Sequence, residues 1–238
     1  MTLLPKANVQ QKPRLKTRKR TFARVLTLSD AATTGIMTYG HLQFSVALGK
    51  SGIRSVKREG DGATPLGRWR ILTVYYRPDR VRRPFAAVPV RASRPTYGWC
   101  DAATDRNYNH RVSMPYPASA ERLWRNDSLY DLVAVLDYNI APRGQGRGSA
   151  IFMHIARKSF APTAGCIATT RAHLMRLLAS MKAGTLIAAG RNASPRPAIS
   201  AAASGSGKDR LPACRSPAKW RPAGPLAPRG RYGAAPRR

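Results

Sequence analysis

The sequence predicts a mainly β domain with one or two helices, flanked by basic segments that remain disordered. Short apolar segments bounded by turn residues recur between residues 22 and 155, a pattern typical of strands. One segment, which starts after residue 169, repeats apolar residues at helical spacing. From Gly190 onward the composition changes to Ala, Ser, Gly, Pro and Arg, with few branched apolar side chains to bury.

Five segments carry the strand pattern. FARVLTL (22–28) and IMTYGHLQFSVAL (36–48) alternate apolar and polar residues across a turn-rich link, which predicts a hairpin. GRWRILTVYY (67–76) follows the turn GDGATPLG as a third strand. LYDLVAVLDY (129–138) and SAIFMHI (149–155) are the most apolar segments. We therefore expect them to be central in the sheet and paired with each other.

The clear helix follows the last of these strands. Thr169 or Thr170 is suited to cap its N-terminus, and Gly184 to close its C-terminal end. Its apolar positions are Leu174, Leu177, Leu178 and Met181. This spacing places His173 on the surface of the helix, where we expect it to be solvated. A short strand, TLIAA, comes next.

The positive charge is concentrated at both ends of the chain. Lys and Arg number 42 against 11 Asp and Glu, a formal net charge of +31. Residues 1–21 contain seven basic and no acidic residues, and residues 191–238 contain eleven basic residues and Asp209 alone. We interpret both segments as disordered basic tails around one domain at 22–190. The charge favours an anionic partner: nucleic acid, a membrane surface or an acidic cell-wall polymer.

No targeting or membrane-spanning segment is apparent in the sequence. The basic N-terminus lacks the apolar run of about 7 to 15 residues that a secretory signal requires. No run of about 20 apolar residues is present to span a bilayer. These features predict a soluble chain with no visible export route.

The cysteine and histidine spacings predict neither a disulfide framework nor a metal site. Cys100, Cys166 and Cys214 cannot all pair within one chain, so at least one thiol is free. We expect Cys100 to be structural. The four histidines are scattered, without a spacing typical of metal ligands.

The segment IFMHIARKSFAPTAGCIATT (151–170) carries the residues most suited to chemistry. An apolar strand ends near His154, and Cys166 follows twelve residues later, directly after Gly165. A histidine on a neighbouring strand can take the proton of a thiol, and a glycine lets backbone N–H groups approach an oxyanion. A nucleophile activated in this way is expected to have a depressed thiol pKa. On these residues alone, the alternative is that both are inert core residues.

A family resemblance favours the catalytic interpretation. The block GSAIFMH followed by TAGCIA resembles the catalytic signature of the L,D-transpeptidases, the YkuD family. EGDGATPLGRWRI resembles the segment of that family that leads into a strand through threonine, proline and glycine, and YDLVAVLDYN resembles the strand before its catalytic histidine. The resemblance extends over about residues 22 to 190.

This resemblance implies a β-sandwich-like fold and a cysteine acyltransferase that needs no cofactor. Cys166 would be acylated by a peptidoglycan stem tetrapeptide with release of its terminal D-alanine, and the acyl group would pass to an amine of a neighbouring stem or to water. His154 matches the general base, and Thr163 and Gly165 match the positions that precede the nucleophile. With Ala164, they are the candidate oxyanion and substrate-binding residues. The family's substrate lies at the periplasmic or cell-wall face.

Two other functions remain open at this level. A hydrolase on the same scaffold, an L,D-carboxypeptidase or an amidase, would carry the same residues. A basic nucleic-acid-binding protein would use the charged tails, although these contain few aromatic residues for stacking. Two positions differ from the pattern of the L,D-transpeptidase family, since Ala164 and Ala168 occupy places where many members have His and Arg, respectively. These differences leave acceptor choice and substrate contacts undecided.

The loop-like segment YGWCDAATDRNYNHRV (97–112) is a weaker candidate for function. Its polar and aromatic residues either line a substrate groove or form a surface loop with Asx turns, and the sequence favours neither. They are Trp99, Asp101, Asp105, Tyr108, Asn109 and Arg111. Asp137 and Asn139 close the strand before His154, and we expect a structural role for them.

Overall fold

The computed structural model of the chain describes residues 21–191. The basic tails predicted at 1–21 and 191–238, and Cys214 with them, therefore lie outside the described residues except for Thr21 and Arg191. Among the described residues, no helix has the length and apolar character needed to cross a membrane.

Fourteen strands and one helix make up residues 21–191. The strands are β1 Phe22–Thr27, β2 Thr34–Tyr39, β3 Leu42–Ala47, β4 Ile53–Arg54, β5 Thr64–Pro65, β6 Gly67–Tyr76, β7 Val90–Ala92, β8 Tyr97–Cys100, β9 Arg111–Ser113, β10 Ala120–Arg122, β11 Leu132–Leu136, β12 Phe152–Ile155, β13 Ile167–Thr169 and β14 Leu186–Arg191. The helix is α1 Arg171–Ser180. The prediction of a mainly β fold is confirmed.

Nine of the strands form one sheet that closes on itself. Their order is β11-β12-β13-β3-β2-β1-β14-β6-β7, and an additional pairing joins β11 to β6. Strand β6 makes this closure because it is long: residues 67–70 pair with β14, and residues 71–76 pair with β11. The closed sheet thus encloses the main apolar core.

The predicted strands agree with the structure except at one turn. The hairpin is confirmed, since β1 and β2 are antiparallel neighbours. The single strand predicted at 36–48 is wrong, because a turn divides it into β2 and β3. Gly40 lies in this turn with φ of +56°, a conformation that glycine adopts without strain. Strand β6 spans the predicted residues 67–76, and β11 is central, paired with both β6 and β12.

Alternate residues of β11 face two apolar clusters. Leu132, Ala134 and Leu136 belong to the main core, whereas Val133 and Val135 belong to a smaller cluster. All five are buried, which explains the continuous apolar run of this strand. The smaller cluster is the apolar floor of the candidate site.

Helix α1 packs on the main core through Leu174, Leu177 and Leu178. Thr170 caps it by accepting the backbone N–H of His173 at 3.2 Å, as the sequence predicts. The expected end at Gly184 is wrong: the helix ends at Ser180. The backbone of the next residue is extended, and Gly184 lies instead in the turn before β14.

His173 is half-buried, not fully solvated as the sequence predicts. Its ring stacks on Phe44 with centroids 4.7 Å apart, and its Nδ1 is buried without a hydrogen-bond partner among the described residues. Burial against Phe44 depends on the distant strand β3, so the helical period alone gave no sign of it.

A small sheet of β10, β8 and β9 lies between β7 and β11 in the chain. The sequence suggested only a loop at 97–112, but its two ends form β8 and β9. Strand β10 pairs with β8, and Glu121 is opposite Trp99. This sheet brings a segment far from the cysteine in sequence toward the candidate site.

Candidate active site

Strand alternation places Cys166 and His154 on the same face of neighbouring strands. Strands β12 and β13 are parallel, with His154 opposite Ala168. Cys166 precedes Ala168 by two residues, so its side chain emerges on the side of His154. Ile167, which lies between Cys166 and Ala168 in the chain, packs in the main core. Cys166 and Phe152 belong to the smaller cluster.

Backbone groups hold the thiol of Cys166. Its Sγ donates to the carbonyl of Ala150 at 3.1 Å and accepts the N–H of Phe152 at 3.3 Å. None of the hydrogen bonds among the described residues joins this thiol to His154. The residue is 7% exposed, and burial raises the pKa of the thiol to about 12. The expectation of a depressed thiol pKa is therefore wrong for this structure.

The imidazole of His154 has the tautomer required of a base. Its Nδ1 lies 2.9 Å from the carbonyl oxygen of Ile155. A carbonyl only accepts hydrogen bonds, so Nδ1 carries the proton and Nε2 has the free lone pair. Burial lowers the pKa of His154 to about 4, which keeps the ring neutral near pH 7. Resting Cys166 and His154 are thus a neutral thiol and a neutral imidazole.

The loop before the cysteine is braced by Thr163. Its hydroxyl donates to the carbonyl of Cys166 at 2.7 Å and accepts the N–H of Gly165 at 3.1 Å. Gly165 has φ of +137°, and a Cβ at this position would lie 2.7 Å from the carbonyl oxygen of Ala63. Only glycine fits this backbone. Ala164, between them, is exposed.

The segment that resembles the family's threonine and proline motif packs against this loop. Thr64 accepts the N–H of Gly49 at 2.9 Å, and Gly49 in turn forms a parallel bridge with Thr163. The N–H of Lys50 also donates to the carbonyl of Thr163 at 2.9 Å. The motif therefore positions the loop that carries the cysteine.

The comparison with known families agrees with this geometry. The family described as the L,D-transpeptidase catalytic domain, YkuD, matches residues 25–188. The chain belongs to this family. Neither a curated protein nor a solved structure matches it.

The L,D-transpeptidase domain has a cavity of about 290 Å³ at the cysteine. Both Cys166 and His154 line it, together with Thr163 and Ala164 of the predicted set. Basic and acidic side chains are both present: Lys50, Lys57, Arg125 and Arg157, and Glu59, Asp101 and Glu121. The cavity therefore suits a substrate that carries charges of both signs.

Sequence reasoning missed Lys57, Glu121, Arg125 and Tyr130 in this cavity. Lys57 is almost fully buried and donates to Asp61 at 2.6 Å. Tyr130 donates to Glu121 at 2.7 Å, and its ring is edge-on to that of His154, with centroids 5.1 Å apart. These residues lie in separate segments without a motif, so no local signal distinguishes them from other charged or aromatic residues.

Most candidate residues of the segment 97–112 stabilise the structure around the site and do not line its cavity. Asp101 is the member of its predicted set that lines the cavity. Asp105 accepts the N–H of Asn107 at 2.6 Å, the Asx turn expected of a surface loop. Tyr108 is buried and donates to Glu59, and Arg111 lies over the ring of Tyr97. Asp101 therefore agrees with the interpretation as a substrate groove, whereas most of the other candidates in this segment agree with the interpretation as a structural loop.

Asn109 connects this segment to the thiol. Its side chain accepts the indole N–H of Trp99 at 2.9 Å and the N–H of Ala150 at 3.0 Å. It also donates to the carbonyls of Tyr138 and Asn139, at 3.0 and 2.8 Å. Because the carbonyl of Ala150 receives the thiol proton, Asn109 fixes the residue that holds the nucleophile.

The remaining candidates are structural. Asp137 accepts the N–H of Arg70 at 2.8 Å, and Asn139 donates to the carbonyls of Gly144 and Gly148. Cys100 is fully buried in β8 with a free thiol. Residues 21–191 contain no group of three or more His, Cys, Asp or Glu side chains placed to hold a metal ion.

Proposed function

We propose that this protein is a cysteine acyltransferase that acts on peptidoglycan stem peptides. Family membership supports L,D-transpeptidase activity in general and peptidoglycan peptides as substrates. The observation that carries the proposal is a neutral imidazole with a free Nε2, on the same strand face and in the same cavity as a cysteine thiol.

Acylation begins with proton transfer from Cys166 to His154. The thiol first leaves the Ala150 carbonyl and presents its proton to Nε2, because burial disfavours a free thiolate. The sulfur then attacks the carbonyl carbon of the scissile amide, and a C–S bond forms. When the tetrahedral intermediate collapses, the C–N bond breaks and the leaving D-amino acid takes the proton from Nε2.

The loop of Thr163, Ala164 and Gly165 supplies the surroundings of the oxyanion. In the resting structure the Gly165 N–H is bound to the Thr163 hydroxyl at 3.1 Å. An oxyanion that formed beside Cys166 would compete with this hydroxyl for the donor. Exposed Ala164 leaves room for the substrate above the loop.

Release of D-alanine from a disaccharide tetrapeptide tests the proposal. Cys166→Ala abolishes release, while Cys100→Ala, which removes a buried thiol outside the cavity, retains most of it. Intact-mass analysis of the wild-type protein with a carbapenem shows one adduct, which is absent from Cys166→Ala. Equal loss in both variants, or no adduct on wild type, contradicts the assignment. Release without a cross-linked product identifies the carboxypeptidase activity instead.

A further inference from the structure

Glu121 presents one uncommitted carboxylate oxygen in the cavity of Cys166. Its side chain is 30% exposed and lines the same cavity as the thiol. Oε1 accepts the hydroxyl of Tyr130 at 2.7 Å. Oε2 accepts no hydrogen bond from the described residues. One oxygen is thus held in place while the other is available to a ligand.

Arg125, the cation paired with Glu121, binds mainly to another carboxylate. The guanidinium of Arg125 forms two hydrogen bonds with Asp127, at 2.9 and 2.7 Å, and is 3.8 Å from Glu121. Asp101 lines the same cavity, and its Oδ1 is buried without a partner among the described residues. Glu121 therefore has no hydrogen-bonded cationic partner among the described residues, and its free oxygen can accept a hydrogen bond from a cationic ligand.

Transfer of an acyl group to an amine requires two proton acceptors. An ordinary alkylamine has a pKa of about 10.4 and arrives as an ammonium near neutral pH. It has no lone pair until it loses one proton, and the nitrogen loses a second proton after it attacks the thioester. His154 can serve the second transfer, because that proton must return to the sulfur of Cys166.

We propose that Glu121 binds the ammonium of the acyl acceptor and takes its first proton. This inference rests on the proposed acyltransferase function. One ammonium proton passes to Oε2, and the neutral amine attacks the thioester carbon and forms the C–N bond. The second proton passes to Nε2 of His154, the C–S bond breaks with its electron pair on sulfur, and His154 returns the proton to Cys166. Glu121 releases its proton to solvent.

The surroundings of Glu121 favour proton uptake. Burial raises the pKa of its carboxyl, so the protonated form is less costly than for an exposed glutamate. Tyr130 joins the two bases, since its hydroxyl binds Glu121 and its ring packs against His154. An acceptor nitrogen in this cavity therefore has both proton acceptors in the cavity wall.

Glu121→Gln separates the two halves of the reaction. The variant keeps the shape of the side chain but cannot take a proton. We expect its acylation by the tetrapeptide, followed by D-alanine release and intact mass, to stay within about threefold of wild type. Transfer to an alkylamine acceptor near pH 7 falls by about 10²-fold, within the usual contribution of a positioned base. Transfer to hydroxylamine, which is already neutral at this pH, is retained, and Glu121→Asp recovers part of the amine transfer.

The controls distinguish this inference from the proposed function. Asp79→Asn removes a carboxylate that is 46% exposed and outside the cavity, and its ratio of amine to hydroxylamine transfer equals that of wild type. A ratio of amine to hydroxylamine transfer in Glu121→Gln that equals that of wild type overturns the role of Glu121, as does an equal loss of acylation and transfer. Failure of wild type to form any acyl-enzyme overturns the proposed function itself.

Discussion

Alkylation of Cys166 by iodoacetamide tests the neutral state of the thiol and imidazole. The pKa of this thiol is about 12, against about 8.5 for an ordinary cysteine. This difference in pKa lowers the thiolate fraction below pH 8 by about 10³- to 10⁴-fold. A more basic thiolate is also a stronger nucleophile, which offsets about half of the decrease in alkylation rate on a logarithmic scale. We expect alkylation about 10²-fold slower than that of a free cysteine.

The assay follows the mass of a Cys100→Ser, Cys214→Ser protein over time at several pH values. The rate should rise with pH without a plateau below pH 9. His154→Ala should change this rate by less than about threefold, because the resting thiol is bound to Ala150 and Phe152 rather than to His154. The same substitution should slow acylation by the tetrapeptide by about 10²- to 10⁴-fold, since a positioned base acts in that step.

A plateau in the alkylation rate with an apparent pKa below 7 would refute this reasoning if it disappeared in His154→Ala. Such a result would mean that the resting enzyme holds a thiolate and an imidazolium. The thiol would then be activated before substrate binds, and the hydrogen bond to Ala150 would have no place in the resting state.

Three further predictions concern the support of the site. Asn109→Ala should lower the free energy of unfolding by at least about 2 kcal/mol in urea denaturation, because one buried and three half-buried partners lose their hydrogen bonds; a loss below about 1 kcal/mol contradicts this. Gly165→Ala should slow acylation at least about tenfold, since its Cβ would meet Ala63, whereas Gly184→Ala, also at positive φ but in open space, should not. The pKa of His154, about 4 when folded and about 6.5 when unfolded, means that the unfolded state binds more protons between these values. Stability should therefore fall by about 3 kcal/mol from pH 7 to pH 4, and His154→Gln, compared by urea denaturation, should lack this part of the decrease.

Further variants and the wild-type protein serve as controls for these predictions. Asn109→Asp retains the acceptor for Trp99 and Ala150 but loses both donors to carbonyl groups, so it divides the effect of Asn109→Ala between the two halves of the amide. Carboxylates also titrate in acid, and they do so in both wild type and His154→Gln. The difference between these two curves isolates the histidine.

The sequence by itself determined most strands of the main sheet and the candidate catalytic pair. Alternation and apolar runs are local properties of the chain, and they located β6, β11 and β12. His154 and the Gly165-Cys166 segment predicted a catalytic site through their resemblance to a family motif, and strand alternation by itself predicts which face of a strand a side chain occupies. The N-cap of α1 was equally local, since one threonine and the next turn suffice.

Only the tertiary structure decided the protonation of the pair and the walls of the cavity. The pKa values of Cys166 and His154 depend mainly on burial, which segments far apart in the chain impose together. A small sheet and the hydroxyl of Tyr130 position Glu121 in the wall of the cavity that contains the cysteine. The environment of His173 also depends on a distant neighbour, because its ring stacks on Phe44 of another strand. Desolvation and hydrogen-bond partners are properties of folded neighbours, which a linear pattern does not contain.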